Sequence, residues 1–259
     1  MDEHPPQWVE PVQENESKLA IDLVPGPRRH SRLWLFIHGF ASHRRGEKAL
    51  FFREQLQEKG EAFASLDLTG HGDSDGDLFE LTMSRNLGDL DRGLRFAQKE
   101  LGPFSGINLV GSSMGGLVAI WYSALNPGLI KKNLLIAPAF ELAGRLILSL
   151  GPSKAQRWRK ERKIHLETEF ATFDLGYEFV EDESNYLIQN LVKRLQTPTL
   201  ILHGSNDESV PCQLSRSFAA RMDLVEFVEI EGGDHRLTDH KDRLFEEMWE
   251  FAGPPEWLF

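Results

Sequence analysis

The chain has 259 residues, 41% of them hydrophobic, enough for one large domain with a sizeable core and too apolar for wholesale disorder. Its formal net charge of −11 argues against a general nucleic-acid binder, because phosphate contacts need a basic surface. One cysteine, Cys212, leaves no intrachain disulfide and fits a reducing, cytoplasmic setting.

The polar, acidic start Met1-Asp2-Glu3-His4-Pro5-Pro6 does not read as a secretory leader, and no apolar run is long enough to span a bilayer. Trp8 and Val9 could open an edge strand, and Leu19 to Val24 reads as a strand stopped by Pro25-Gly26-Pro27. Leu33 to Ile37 is almost continuously apolar, as a strand covered on both faces should be, and runs into His38-Gly39-Phe40. A helix is expected from Glu47 to Lys59, with Leu50, Phe51 and Leu56 toward a sheet. Ala62 to Leu66 is the next strand, followed by the turn cluster Asp67 to Gly76 and a helix over Asn86 to Leu101.

Ile107 to Gly116 is the stretch with most chemistry in it. A short apolar strand meets an abrupt glycine-flanked turn, Gly111-Ser112-Ser113-Met114-Gly115, and an apolar helix begins at once. Serine at the tip of such a turn has its hydroxyl raised above the sheet, beside the positive end of the helix. A glycine-rich strand-to-helix turn could equally cradle a phosphate, although the dinucleotide pattern G-x-G-x-x-G is absent. Asn133 to Pro138 then gives another buried strand. Alternation of strands and helices at these lengths indicates an α/β fold with a mostly parallel central sheet and helices on both faces.

That rhythm stops between Glu141 and Thr197. Leu142 to Leu148 suggests a helix ended by Gly151-Pro152, Ile164 to Phe170 alternates like a strand that Phe173 to Phe179 could pair with, and Tyr186 to Leu195 is helical. We expect residues 141–197 to be a cap, or lid, inserted into a core made of residues 1–140 and 198–259. The cap carries Leu142, Leu146, Phe170, Phe173 and Tyr177, apolar side chains that could turn toward a substrate; Leu146, Phe170 and Phe173 are the candidate substrate-binding residues. Its basic residues Lys154, Arg157, Arg159, Lys160, Arg162 and Lys163 form either a solvated helix face or a landing patch for an anionic substrate or surface.

Thr199 to Leu202 resumes the sheet and ends in a turn containing Asp207. Val225 to Ile230 is the last strand and leads into Gly232-Gly233-Asp234-His235, before a closing helix from about Asp239 to Phe251. Serine is a poor nucleophile until a neighbouring base takes its proton, and the base needs a third group to fix its tautomer. Ser113, Asp207 and His235 each follow a strand, on the edge where open α/β sheets build their sites. They are the candidate nucleophile, acid and base. Glu208 and Asp234 are read as surface or loop-capping carboxylates, Ser112 as a packed residue, and His71 and His203 as braces of their loops. Two N–H donors for an oxyanion are expected from Met114 and Phe40. The histidines lack the local spacings of a zinc site, so neither metal nor other cofactor is expected.

With His38-Gly39, Asp67…Gly70-His71-Gly72…Ser74, Gly111 to Gly115, Asp207…Val210-Pro211 and Asp234-His235 in place, the chain resembles the α/β-hydrolase superfamily from about Leu33 to Phe251. The run Tyr177 to Asp182 and the triplet Asp234-His235-Arg236 are similar to the small carboxylesterase and acyl-protein thioesterase branch. That resemblance implies a serine hydrolase of small ester or thioester substrates, with no nucleic-acid partner. The alternatives on the same scaffold are a C–C bond hydrolase, a serine peptidase, or a binding protein with an idle site.

Overall fold

A computed structural model describes residues 5–27, 31–167 and 172–254. The strands are β1 (Gln7–Val9), β2 (Leu19–Val24), β3 (Leu33–Ile37), β4 (Ala62–Leu66), β5 (Ile107–Ser112), β6 (Lys132–Ile136), β7 (Lys163–Glu167), β8 (Thr172–Gly176), β9 (Thr199–Gly204) and β10 (Val225–Ile230). The helices are α1 (Glu47–Glu58), α2 (Met83–Leu101), α3 (Met114–Leu125), α4 (Leu142–Glu161), α5 (Glu178–Glu183), α6 (Ile188–Arg194), α7 (Cys212–Ala219) and α8 (Lys241–Ala252). Eight strands form the main sheet in the order β1-β2-β4-β3-β5-β6-β9-β10. From β4 to β10 all neighbours are parallel, while β1 and β2 run antiparallel at one edge. This is the mostly parallel α/β sheet that the alternation of elements predicts, in the arrangement that the resemblance to the α/β-hydrolases implies.

Strand side chains alternate between faces, and β3 shows how that divides the interior. Leu33, Leu35 and Ile37 face one buried cluster, together with α2, α3 and Phe218 of α7; Trp34 and Phe36 face a second, filled by Ala49, Phe52 and Leu56 of α1 and by Leu244, Phe245 and Met248 of α8. On α1 the buried residues are therefore Ala49, Phe52 and Leu56, whereas Leu50 and Phe51 are only partly covered. The expected inward set of Leu50, Phe51 and Leu56 is corrected: Ala49 and Phe52, which flank the expected pair, point inward, and Leu56 is retained. Phe51 instead packs edge-on against Phe52 and Phe245, with centroids 6.1 and 6.4 Å away.

Between β6 and β9 the chain leaves the sheet. Helix α4 is broken at Gly151, whose φ of 72° and ψ of 166° are not helical, and resumes through Pro152. The β7–β8 hairpin pairs Ile164 with Leu175, and α5 and α6 bring the chain back. Trp158, Leu175, Phe179 and Leu191 of this segment are buried in the same cluster as α2 and α3. The Trp158 indole N–H donates to the Leu175 carbonyl at 3.0 Å, tying α4 to the hairpin. Among the described residues no helix is long and apolar enough to cross a membrane.

Candidate active site

Ser113 joins β5 to α3 with φ 54° and ψ −116°, a conformation L-residues adopt only when the surroundings impose it. Those surroundings are specific. The Ser113 N–H donates to the Ile136 carbonyl at 2.8 Å, and the Ser113 carbonyl accepts from the Gly116 and Ala139 N–H groups at 3.0 Å each. A Cβ on Gly111 would run into the Gly115 carbonyl, and one on Gly115 would run into the carbonyls of Ile37, the last residue of β3, and of His38 just beyond it. The turn can be this tight only with glycine at both positions.

The ring of His235 lies between the other two predicted residues. Its Nε2 is 3.0 Å from Ser113 Oγ and its Nδ1 is 2.6 Å from Asp207 Oδ2. Three loops from the ends of β5, β9 and β10 converge here. Close approach explains more glycine: a Cβ on Gly204 would strike the Gly233 carbonyl, which accepts from the Asn206 N–H at 2.9 Å. Asp234 Oδ1 accepts from the Leu237 N–H at 2.7 Å, so Asp234 caps the loop, and Glu208 is exposed.

Asp207 is buried and fully engaged. Its Oδ1 accepts from the N–H groups of Ser209 (2.9 Å) and Val210 (2.7 Å), and its Oδ2 takes bonds from two histidines. Burial works to raise its pKa, but the hydrogen bonds from His203, His235 and the Val210 N–H outweigh that and hold the carboxyl well below the usual range. It is a carboxylate at neutral pH. His235 Nδ1 therefore carries the proton it shares with Asp207, and the Nε2 lone pair faces the serine hydroxyl.

His203 is the residue whose part in the site the sequence shows least. It is fully buried, with Nε2 2.9 Å from Asp207 Oδ2 and 3.0 Å from the Val210 carbonyl, and Nδ1 2.8 Å from Ser215 Oγ. Both neighbours of Nε2 are acceptors, so Nε2 bears the hydrogen and Nδ1 accepts from Ser215. Its place at the end of β9, four residues before Asp207, identifies a loop brace; that the braced group is the acid itself depends on how the turn closes.

His38 and His71 brace the opposite side. The Leu68 N–H donates to His38 Nε2 at 3.1 Å, so Nδ1 is the protonated nitrogen, 2.7 Å from the Gly39 carbonyl. The rings of His38 and His71 are 4.8 Å apart. Burial, then the mutual proximity of the two rings, depresses the His38 pKa well below its usual value, and burial depresses that of His71. A Cβ on Gly39 would sit 3.3 Å from Ser113 Cβ, which places the His38-Gly39-Phe40 turn against the serine. Among the described residues the N–H groups of Phe40 and Met114 donate to no protein acceptor.

A cavity of about 400 Å³ opens on Ser113 and His235. It is walled by the β3–α1 turn (His38 to His43), the start of α1 (Glu47, Lys48) and the loop after β10 (Arg236, Thr238). Neither Leu146 nor Phe173 lines it. Leu146 packs on the core and Phe173 meets Phe40 edge-on at 5.1 Å, while Phe170 lies outside the described residues. Of the basic residues between β6 and β9, Arg157, Arg162 and Lys163 pair with Glu161, Glu181 and Asp174. No group of three or more His, Cys, Asp or Glu side chains among the described residues could hold a metal ion.

Residues 34–247 match the model of the alpha/beta hydrolase family, and the chain belongs to that family. Among characterised relatives it is similar to the mitochondrial palmitoyl-protein thioesterase ABHD10 of Mus musculus, 28% identical over 217 residues, which is 80% of this chain and 70% of the relative. Among solved structures it resembles Est1E from Butyrivibrio proteoclasticus with ferulic acid bound, at a TM-score of 0.81 and 24% identity, covering 96% of this chain and 100% of that one. An esterase from Pyrococcus furiosus superposes with a TM-score of 0.68 at 21% identity, covering 96% and 91% of the two chains. Hydrolase activity is what these relationships support.

Proposed function

We propose that the protein is a serine hydrolase of carboxylic esters or thioesters that works through an acyl-enzyme. The observation that carries the reading is the unbroken line Ser113 Oγ, His235 Nε2, His235 Nδ1, Asp207 Oδ2, with separations of 3.0 and 2.6 Å. Ser113 Oγ attacks the acyl carbonyl as its proton passes to His235 Nε2. The imidazolium so formed is stabilised by the buried Asp207 carboxylate. The carbonyl oxygen becomes an oxyanion, and the Phe40 and Met114 N–H groups receive it. Collapse breaks the bond to the alcohol or thiol, which leaves with the proton from His235. Water then enters by the same route in reverse, giving up a proton to His235 as it attacks the acyl carbon and returning the serine hydroxyl.

In this reading residues 141–197 form a cap inserted into the core of residues 1–140 and 198–259. Phe173 contributes through Phe40, whose ring it touches edge-on, by steadying the turn that offers the oxyanion donor. The thioesterase name of one relative and the ferulic acid held by another suit acyl transfer at a carbonyl. They favour esters and thioesters over a C–C bond or peptide substrate. The test is labelling with a fluorophosphonate probe. Wild-type protein should be modified at Ser113 and Ser113→Ala should be silent; undiminished labelling of the variant would overturn the assignment.

A further inference from the structure

The cavity on Ser113 has an asymmetry of charge that the acyl-transfer chemistry does not need. In a chain of net charge −11 its wall carries Lys48 and Arg236, and among the described residues Glu47 is its one acidic lining residue. Glu47 already pairs with Lys241 at 3.1 Å. Asp234, the other carboxylate acting on Lys48, accepts from the Leu237 N–H and does not line the cavity. His43 completes the polar wall on the side of the β3–α1 turn. The Lys48 side chain is half-buried, and its ammonium donates one N–H to the Arg236 carbonyl at 2.7 Å. An ammonium has three donors, and the other two meet no acceptor among the described residues. A half-desolvated cation with donors to spare lowers its energy by meeting an anion.

The side of the site follows from proton transfer. The departing alcohol or thiol must receive its proton from His235, so it leaves along the face that His235 presents. Arg236 and Thr238 continue the chain directly from His235 and line the same cavity, and Lys48 is bonded to that loop. Resting on the serine-hydrolase reading above, we infer that the enzyme selects substrates whose leaving group carries an oxyanion, a carboxylate or a phosphate, held by Lys48. Phe36, Phe40 and Ala49 supply an apolar wall for the body of that leaving group.

Burial and the neighbouring Arg236 pull the Lys48 pKa down to about 8. Below that pH the side chain is an ammonium, and above it the attraction for an anion fades. This gives the wild-type enzyme its own signature, separate from any variant.

The experiment compares butyryl esters of para-hydroxybenzoate, of its neutral near-isostere para-hydroxybenzamide, and of para-hydroxyphenyl phosphate. Wild-type kcat/KM for one or both anionic esters should exceed that for the amide by roughly 10- to 100-fold, the usual worth of a charge-assisted hydrogen bond. The two anionic arms tell carboxylate from phosphate. The advantage should decline as pH rises through about 8. Lys48→Met should bring the ratio close to one, Lys48→Arg should keep it, and Lys99→Met, on the exposed end of α2, should leave the wild-type ratio. Equal kcat/KM for all three esters, with Ser113 still labelled by a fluorophosphonate, overturns this inference alone. A ratio independent of pH from 6 to 10, or preserved in Lys48→Met, also overturns it. Failure of the wild-type protein to label at all would instead overturn the serine-hydrolase reading beneath it.

Discussion

At the scale of single residues, Asp207 is the group whose surroundings are most exacting. One oxygen serves two backbone N–H groups and the other serves two histidines, so replacement by asparagine sets an amide NH₂ against donors at whichever oxygen it replaces. A neutral amide also cannot stabilise an imidazolium. Asp207→Asn should lower kcat by about 10³- to 10⁴-fold, the loss such triads show when the acid is neutralised. Glu208→Gln, one position on and exposed, should change it little. Steady-state kinetics on one ester, with circular dichroism to establish folding, decides between them; the reverse ranking would move the acid to Glu208.

Glycines show at the scale of elements how the turn after β5 is held. Gly115 lies where α3 passes the end of β3, and a methyl group there would overlap the Ile37 carbonyl, which belongs to a central strand. Gly144, in the first turn of α4, has nothing within 4 Å of where its Cβ would be. Gly115→Ala should therefore destabilise by about 1–3 kcal/mol or more, and Gly144→Ala should stabilise by roughly 0.5–1 kcal/mol. Urea unfolding checks the pair, and equal effects would mean the turn is looser than described. β3 and β4, buried at every position, were legible because burial on both faces writes itself as apolar runs, and they start and end where those runs do. The second half of α4 was not. In Pro152 to Glu161 only Trp158 is buried, so no periodic stripe marks a helix there. The α1 register misled for a related reason: Ala49 is small enough to face the sheet, whereas bulkier Leu50 and Phe51 look the better core candidates. In the site, residue types and their strand-end positions pointed to Ser113, Asp207 and His235. The bond from His203 to Asp207 and the place of Lys48 in the cavity wall depend on how loops fold back, which no local pattern encodes.

Seen as a whole molecule, the two halves of the proposed machinery differ in how far along the chain they reach. Apart from the bond to His235, 28 residues on, Asp207 takes its bonds from partners 2 to 4 residues away, at Ser209, Val210 and His203, and His203 is steadied in turn by Ser215. The contact between Ser113 and His235 spans 122 residues and requires β5, β6, β9 and β10 to be in place side by side. Local contacts form early and cheaply in entropy, whereas closing a separation of that size waits for the sheet. On refolding from denaturant, fluorophosphonate reactivity at Ser113 should thus return no earlier than the native tryptophan fluorescence signal; reactivity in an earlier phase would show that the serine is activated without His235. The chain thereby acquires a safeguard in its own biogenesis. A half-made polypeptide, or one whose last strand has slipped, holds its carboxylate ready but has no armed hydroxyl with which to attack the esters around it.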